Sequence, residues 1–141
     1  MKESDIQKQI MEYLESRGVY CWKNFTTGIP DKNIEGGYRT NPNSGMADIM
    51  GVLPDGRLLC IEVKKKSSVT KKSRLQKQLI FLNRIDINNG IAFFAYSLQD
   101  VTDKLETTLL DRIDKEKINT AKNWASELIK RMGSHYLTTP Q

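Results

Sequence analysis

The spacing of apolar residues predicts a helix at the start of the chain and a strand after it. Over residues 4–17 the apolar positions recur every three or four residues, as on one face of an amphipathic helix. These positions are Ile6, Ile10, Tyr13 and Leu14. Ser4 and Gln7 fit a capping box, and Gly18 ends the helix. Residues 19–25 (VYCWKNF) are rich in β-branched and aromatic side chains, which predicts a strand.

The next segment, residues 26–45, is polar and holds four glycines and two prolines, which predicts a loop. Compact domains seldom contain an irregular loop of this length without a task for it, so we expect a functional or mobile segment. Two strands are predicted to follow, at 47–53 and 57–65. The tripeptide Pro54-Asp55-Gly56 between them has turn chemistry, because glycine accepts a positive φ.

The second half of the chain predicts three helices and one strand. A helix over 73–88 places four apolar residues on one face, namely Leu75, Leu79, Leu82 and Ile85. The uniformly apolar run 91–96 (IAFFAY) is typical of a buried strand, and a further helix is predicted over 100–110. This order predicts an α/β fold in which a mixed β-sheet, with an αβββαβ core, is flanked by helices.

The last part of the chain is predicted to be an additional C-terminal helix, over 114–132. Its apolar residues follow the spacing of a coiled-coil seam: Ile118, Ala121, Ala125, Leu128 and Met132. Two interpretations stay open, because the stripe either packs on the chain's own core or contacts a second copy in a homodimer. We therefore divide the chain into a core, 1–110, and an extension, 111–141.

Positive charge is concentrated in one segment. The chain has 22 basic and 17 acidic residues, for a net charge of +5. Seven basic residues and no acidic ones lie between Lys64 and Lys77, which leaves 15 basic against 17 acidic residues elsewhere. Such a run is either a solvated surface or a patch that faces a polyanionic backbone.

Composition limits the remaining possibilities. Cys21 and Cys60 lie far apart in sequence, and with the single His135 they match no usual zinc pattern. Two reduced, mostly buried thiols are the expectation. No apolar run approaches the ~20 residues that span a bilayer, and the N-terminus lacks a signal-peptide core, so we expect a cytoplasmic protein without a membrane partner.

The candidate chemistry lies on the predicted hairpin. Side chains alternate along a strand, so Glu62 and Lys64 share one face. If Pro54-Asp55-Gly56 is a three-residue turn, Asp48 stands directly across from Glu62, with Cβ atoms about 4.5–5.5 Å apart. Two alternatives are open from spacing alone. A two-residue turn would put Asp48 on the other face, and an acid beside a lysine is often an ordinary surface pair.

Two carboxylates that face each other at this separation repel by on the order of a few kcal/mol. A shared proton, Lys64 or a divalent cation has to compensate. Mg²⁺ takes oxygen ligands, typically one or two carboxylates with water and substrate phosphate. The Val63 carbonyl would supply a backbone ligand at the same point.

The combined motifs resemble the PD-(D/E)XK nuclease superfamily and, more closely, its VRR-NUC branch, related to phage and archaeal Holliday-junction resolvases. The matching residues are Gly45–Gly51 (GMADIMG), Gly56–Lys64 (GRLLCIEVK), Gln78–Leu82 (QLIFL), and Gly90 followed by the strand 91–96. The first helix, which opens with Glu3, also fits. The match covers roughly residues 3–105, and the family's usual proline before the aspartate is Ala47 here.

The resemblance implies a restriction-endonuclease-like fold and a structure-selective endonuclease of branched, junction or flap DNA. It implies that Asp48 and Glu62 bind Mg²⁺ or Mn²⁺ and that Lys64 is the catalytic lysine. Gln78 and Glu3 would complete the site. Two literal Pro-Asp pairs are decoys, because Asp31 lies in the glycine-rich loop and Asp55 lies at the hairpin tip.

The expected partner is DNA. Exposed cations would hold its backbone without reading bases, namely Lys65, Lys66, Lys71, Lys72, Arg74, Lys77 and, from the loop, Lys32 and Arg39, with Tyr38 beside them. The free amides of a helix beginning near Ser73 would add a phosphate contact. Two rival functions are a non-catalytic nucleic-acid-binding protein of the same fold and a small assembly protein that acts through its C-terminal helix.

Overall fold

A four-stranded sheet with helices on both faces forms the first unit of the chain. The computed structural model describes residues 1–109 and 115–136. It separates into two units, Met1–Asp111 and Arg112–Gln141, which are described separately below. The first unit confirms the predicted fold class, a mixed α/β sheet flanked by helices.

The elements follow the predicted order, with two short strands added inside the loop. They are α1 (Glu3–Ser16), β1 (Tyr20–Lys23), β2 (Ile29–Pro30), β3 (Tyr38–Arg39), β4 (Ile49–Val52), β5 (Leu58–Val63), α2 (Lys72–Ile87), β6 (Ile91–Ala95), α3 (Leu98–Leu109) and α4 (Lys115–Tyr136). None of these helices is long and apolar enough to cross a membrane.

The main sheet has the strand order β1-β4-β5-β6. Strands β1, β4 and β5 are antiparallel neighbours, whereas β6 lies parallel to β5. Parallel neighbours need a long crossover, and α2 supplies it. The sheet is therefore mixed, with β5 in its interior and the carboxyl end of β5 next to that of β6.

The hairpin register is the one that the three-residue turn predicts. Ile49 pairs with Ile61, and Gly51 pairs with Leu59. The Leu53 amide donates to the Arg57 carbonyl at 2.9 Å, which closes the turn. Extended by one residue, this register sets Asp48 opposite Glu62. The two-residue alternative is excluded.

Side chains of β5 alternate between two cores. Leu59, Ile61 and Val63 are buried with apolar residues of α1 and α3 on one face of the sheet. On the other face Cys60 packs with Leu82 of α2. Each such buried aliphatic side chain contributes roughly 1.5–3 kcal/mol. Together the two cores hold both ends of β5 in place.

Four local predictions were wrong. Helix α1 begins at Glu3, so Ser4 is not its N-cap; instead the Asp5 carboxylate accepts from the Lys2 amide at 3.2 Å. The loop 26–45 contains the β2–β3 pair. Leu79 of α2 is exposed, because Gln78 and Leu82 take the inward positions. Strand β6 is a half-buried edge strand, since no strand pairs with its outer side among the described residues.

The predicted C-terminal helix is present as α4. Trp124, Leu128 and Met132 are exposed on it. The side chains of Ile118 and Ala121, which belong to the predicted seam, lie outside the described residues, as do residues 110–114 and 137–141. A dimer contact through this helix stays a prediction.

Gly51 allows β1 and β4 to approach closely, and its replacement by alanine is expected to destabilise the chain by about 1–3 kcal/mol. A Cβ there would lie 2.8 Å from the Tyr20 carbonyl oxygen and 3.0 Å from the Cys21 Cβ. Gly28→Ala is the matched control, since its Cβ would meet nothing nearer than 3.5 Å. Urea unfolding of the two variants measures the difference, and equal stabilities would contradict the packing argument.

Candidate active site

Glu62 lies at the centre of the candidate site, near the end of β5 on the face covered by α2. Only 3% of its surface is exposed. Gln78 of α2 donates from Nε2 to Glu62 Oε1 at 2.6 Å. The second carboxylate oxygen, Oε2, is buried and has no hydrogen-bond partner among the described residues. A buried carboxylate oxygen without a donor is costly, and it calls for a proton or a cation.

Asp48 immediately precedes β4 and is held against the end of β5. Its Oδ2 accepts from the Val63 amide at 2.8 Å. Asn24, the residue after β1, binds the backbone of both Ala47 and Asp48. Its amide donates to the Asp48 carbonyl and its Nδ2 donates to the Ala47 carbonyl, both at 2.8 Å. The backbone of Asp48 is therefore held by Asn24, which follows β1, and its carboxylate is held by Val63 of β5.

The two carboxyl groups shift each other's protonation. Burial, together with the negative charge of Asp48, raises the pKa of Glu62 to about 8, against the opposing charge of Lys64. Burial also raises the pKa of Asp48; the Val63 hydrogen bond opposes this, while the charge of Glu3 adds to it. Both acids hold protons more tightly than usual. Strongly perturbed carboxyl pairs of this kind concentrate at functional sites.

Lys64 supplies the positive charge of the site. Its Nζ lies 3.6 Å from Glu62 Oε1 and donates to Thr70 Oγ1 at 3.2 Å. The side chain is almost fully buried, which is rare for lysine unless it is paired. Its backbone amide donates to the Ala95 carbonyl of β6 at 2.9 Å, so the backbone of Lys64 continues the pairing between β5 and β6.

Glu3 is occupied by the loop that follows β5. Its Oε1 accepts from the Lys65 amide at 3.1 Å and from Ser68 Oγ at 3.2 Å. It nevertheless lies close enough to Asp48 for its charge to raise that residue's pKa. In this structure Glu3 anchors the basic loop to α1 at the border of the site.

The donor set fits a hard divalent cation. The Val63 amide donates to Asp48, on the side of β5 that is away from β6. In a strand the amide and the carbonyl of one residue point to the same side, so the Val63 carbonyl oxygen also points toward the Asp48 side. Glu62 Oε2 and Gln78 Oε1 are buried acceptors without donors in the described part of the chain. No group of three or more histidine, cysteine or acidic side chains forms a metal cluster among the described residues. Asp48, Glu62 and the Val63 carbonyl are the residues that would hold the ion, with all-oxygen ligands as Mg²⁺ prefers.

The predicted DNA-contacting cations are all exposed: Lys65, Lys66, Lys71, Lys72, Arg74, Lys77, Lys32 and Arg39. Arg74 is close enough to Glu62 for its charge to lower that residue's pKa. Arg39 is paired with Asp31 at 4.0 Å.

Helix α2 begins at Lys72, one residue before the predicted start. The side chain of its N-cap residue, Lys71, makes no hydrogen bond to the first amides of the helix.

The decoy aspartates make other contacts. Asp55 accepts from the Arg57 amide at 3.0 Å in the hairpin turn. Asp31 accepts from the Asn33 amide at 2.9 Å within the loop. Each carboxylate therefore stabilises its own turn.

Three residues of the site were missed by the sequence argument. Asn24 positions Asp48 through the hydrogen bond to its carbonyl. Thr70 positions Lys64 by accepting a hydrogen bond from its Nζ. Asn41 is buried, and its Nδ2 donates to the Phe25 and Thr27 carbonyls at 2.9 and 3.0 Å, which ties the long loop to the end of β1. Asn24 lies within a predicted strand next to the hairpin, which is the one signal that pointed to it; Thr70 and Asn41 carry no spacing signal.

A solved structure of a "VRR_NUC domain" matches with 22% sequence identity and a TM-score of 0.48, over 75% of this chain and 95% of that one. The chain is similar to that domain. Comparisons with protein-family models and with curated proteins gave no match.

Proposed function

We propose that the chain is a metal-dependent nuclease that hydrolyses DNA phosphodiester bonds, using Mg²⁺ or Mn²⁺. The observation that carries the proposal is the buried Glu62 carboxylate beside Asp48: its Oε2 has no hydrogen-bond partner in the described part of the chain, and its Oε1 lies 3.6 Å from Lys64 Nζ. A protein that only binds DNA has no need to bury two repelling acids and a lysine together. The motif resemblance drawn from the sequence supports the same function.

Each residue has a role that its surroundings support. Asp48, Glu62 and the Val63 carbonyl would hold the cation, which when bound lowers the pKa of a water and neutralises charge on the phosphate. Gln78 orients Glu62 through its 2.6 Å hydrogen bond. Lys64 stabilises negative charge on the reacting phosphate, and Thr70 fixes its ammonium group.

Cleavage assays on defined DNA test the proposal. Supercoiled plasmid, four-way junctions, flaps and splayed duplexes are incubated with Mg²⁺, Mn²⁺ or EDTA. We expect cleavage with either metal, none with EDTA, and a preference for branched or unpaired DNA. Binding without cleavage in both metals would favour the rival function, a non-catalytic nucleic-acid-binding protein.

The basic segment is expected to account for much of the salt dependence of DNA binding. A Lys71→Ala, Lys72→Ala double variant should weaken binding to every sequence and reduce the slope of log K against log salt by about 1.8, at ~0.9 per lost phosphate contact. Lys8→Ala, Lys130→Ala removes the same charge from exposed helix positions paired with acids. Fluorescence anisotropy across a salt series measures both. Equal slopes for the two double variants would show that the segment does not contact DNA.

A homodimer through α4 remains part of the proposal for branched substrates, since two active sites would then face two strands. Its support is the exposed apolar side chains of Trp124, Leu128 and Met132. Sedimentation of the full chain, with Leu128→Glu as the variant, tests it. A chain that is monomeric at the concentration at which it cleaves DNA would exclude the dimer.

A further inference from the structure

A cavity of about 200 Å³ opens beside the Lys64 side chain. It lies between the loop after β5, the first turn of α2 and the carboxyl end of β6. Its walls are formed by Lys64, Ser68, Thr70, Leu75, Phe94 and Tyr96, with Lys65 at the edge. None of its aromatic or apolar residues has a role in the hydrolysis proposed above.

The sheet register brings the aromatic wall next to the reacting groups. Phe94 of β6 pairs with Glu62 of β5. The ladder continues for one more residue, because the Lys64 amide donates to the Ala95 carbonyl, and this puts Tyr96 beside Lys64. In a parallel pair, opposite residues project to the same face of the sheet. Both rings therefore stand on the face that carries Glu62 and Lys64.

Tyr96 is held in place although its side chain is partly free. Its amide donates to Asp100 Oδ2 at 2.8 Å, where α3 begins. The residue remains 44% exposed, a large aromatic surface to leave uncovered next to a cavity. Phe94, in contrast, is half-buried against the α2 core.

The lining suits one flat ring with polar edges. Phe94, Tyr96 and Leu75 offer stacking and apolar contact, while Ser68, Thr70 and Lys65 add polar side chains to the lining. Pockets for larger ligands measure about 300–1,000 Å³, so this one suits a single ring system. A nucleobase has this shape and polarity, and its own phosphate would then lie toward Lys64.

We propose that this cavity receives the base of an unpaired nucleotide adjacent to the scissile phosphate. The inference rests on the proposed nuclease function and gives it a substrate class. A base inside a duplex is stacked on both sides and cannot enter a pocket without being extruded. DNA with an unpaired nucleotide next to the cut is therefore the favoured substrate, and fully paired duplex is disfavoured.

Binding is tested first, without relying on cleavage. A splayed duplex carries 2-aminopurine at the unpaired position beside the cut and is mixed with the Glu62→Gln chain, in which cleavage is expected to be about three orders of magnitude slower. Stacking on Tyr96 should quench the fluorescence of the base. Tyr96→Ala in that background should abolish the quenching and weaken binding about tenfold, within the range of measured base–aromatic stacking. Tyr96→Phe should retain both, because it keeps the aromatic ring and removes only the hydroxyl.

Cleavage then gives an independent readout. Wild-type protein should cut the splayed duplex at least about tenfold faster than the same DNA with an abasic site at that position. The Tyr96→Ala chain should cut both DNAs at the slower rate. The control is Tyr20→Ala, because Tyr20 is an exposed tyrosine on the opposite edge strand, and this chain should behave as wild type.

The outcomes separate the two proposals. If wild-type protein cleaves DNA but ignores the abasic site, and 2-aminopurine fluorescence does not change, the cavity is not a base site and the nuclease function stands. If wild-type protein neither binds nor cleaves any of these DNAs, the nuclease function fails and the base site fails with it.

Discussion

Replacing Glu62 with glutamine is expected to lower metal-dependent DNA cleavage by about three orders of magnitude. The amide removes the charge that attracts the cation, and loss of metal catalysis costs several kcal/mol of barrier, at about 1.36 kcal/mol per tenfold. The shape of the side chain and its contact with Gln78 are retained, so the fold should survive. Initial rates at saturating Mg²⁺ measure the effect. Asp48→Asn should have a comparable one, since it removes the second carboxylate.

Asp55→Asn is the matched control for this prediction. Asp55 follows a proline, as in the Pro-Asp motif of the nucleases that the sequence resembles, but its carboxylate binds Arg57 in the hairpin turn. The control should therefore cleave DNA at the wild-type rate. A Glu62→Gln chain that keeps a tenth or more of the wild-type rate would remove Glu62 from the catalytic set.

The stability of the metal-free protein should fall as the pH rises from about 4.5 to about 8. The unfolded chain releases the Glu62 proton near the ordinary value of 4.5, whereas the folded chain, with its raised pKa, holds it up to about 8. Between these values the folded state binds more protons, so the free energy of unfolding decreases with pH. The raised pKa of Asp48 acts in the same direction. The combined loss is on the order of a few kcal/mol.

Urea unfolding in EDTA at several pH values measures this loss. Glu62→Gln should show a flatter profile and should be more stable than wild type near pH 8, which pairs a gain in stability with the loss of activity. Subtracting the two profiles cancels the titration of groups that both chains share. Mg²⁺ at pH 8 should restore wild-type stability by about 2.7 kcal/mol at 100 times its Kd, and should leave the variant nearly unchanged. A wild-type profile parallel to that of the variant would contradict the raised pKa.

Much of the fold was predictable because its signals are local. Apolar spacing located α1 and α2 to within one or two residues, and the Pro54-Asp55-Gly56 turn gave the register that sets Asp48 opposite Glu62. Register and side-chain alternation follow from the geometry of a strand and need no distant contacts. They are the reason that the sequence alone suggests the carboxylate pair.

Other features depended on which surfaces meet in three dimensions. Periodicity placed Leu79 inward on α2, yet the helix turns Gln78 to the sheet, where it finds Glu62, and leaves Leu79 exposed. The apolar composition of β6 predicted a buried strand, although its position at the edge of the sheet leaves it half-buried. Composition cannot tell which strand ends a sheet, because that depends on pairing between distant segments.

The sequence alone determined that Glu62 and Lys64 share one face of a strand and that a three-residue turn would set Asp48 opposite Glu62. The pairing of the two strands decided that the turn has three residues, because register depends on which backbone groups meet. Only the tertiary structure decided what surrounds that pair. It gave Lys64 a hydroxyl partner in Thr70, bound Glu3 to the basic loop, and set Tyr96 beside the lysine across a parallel ladder. These contacts join residues whose separation in sequence carries no periodic signal, so they appear only once the helices and the sheet have packed.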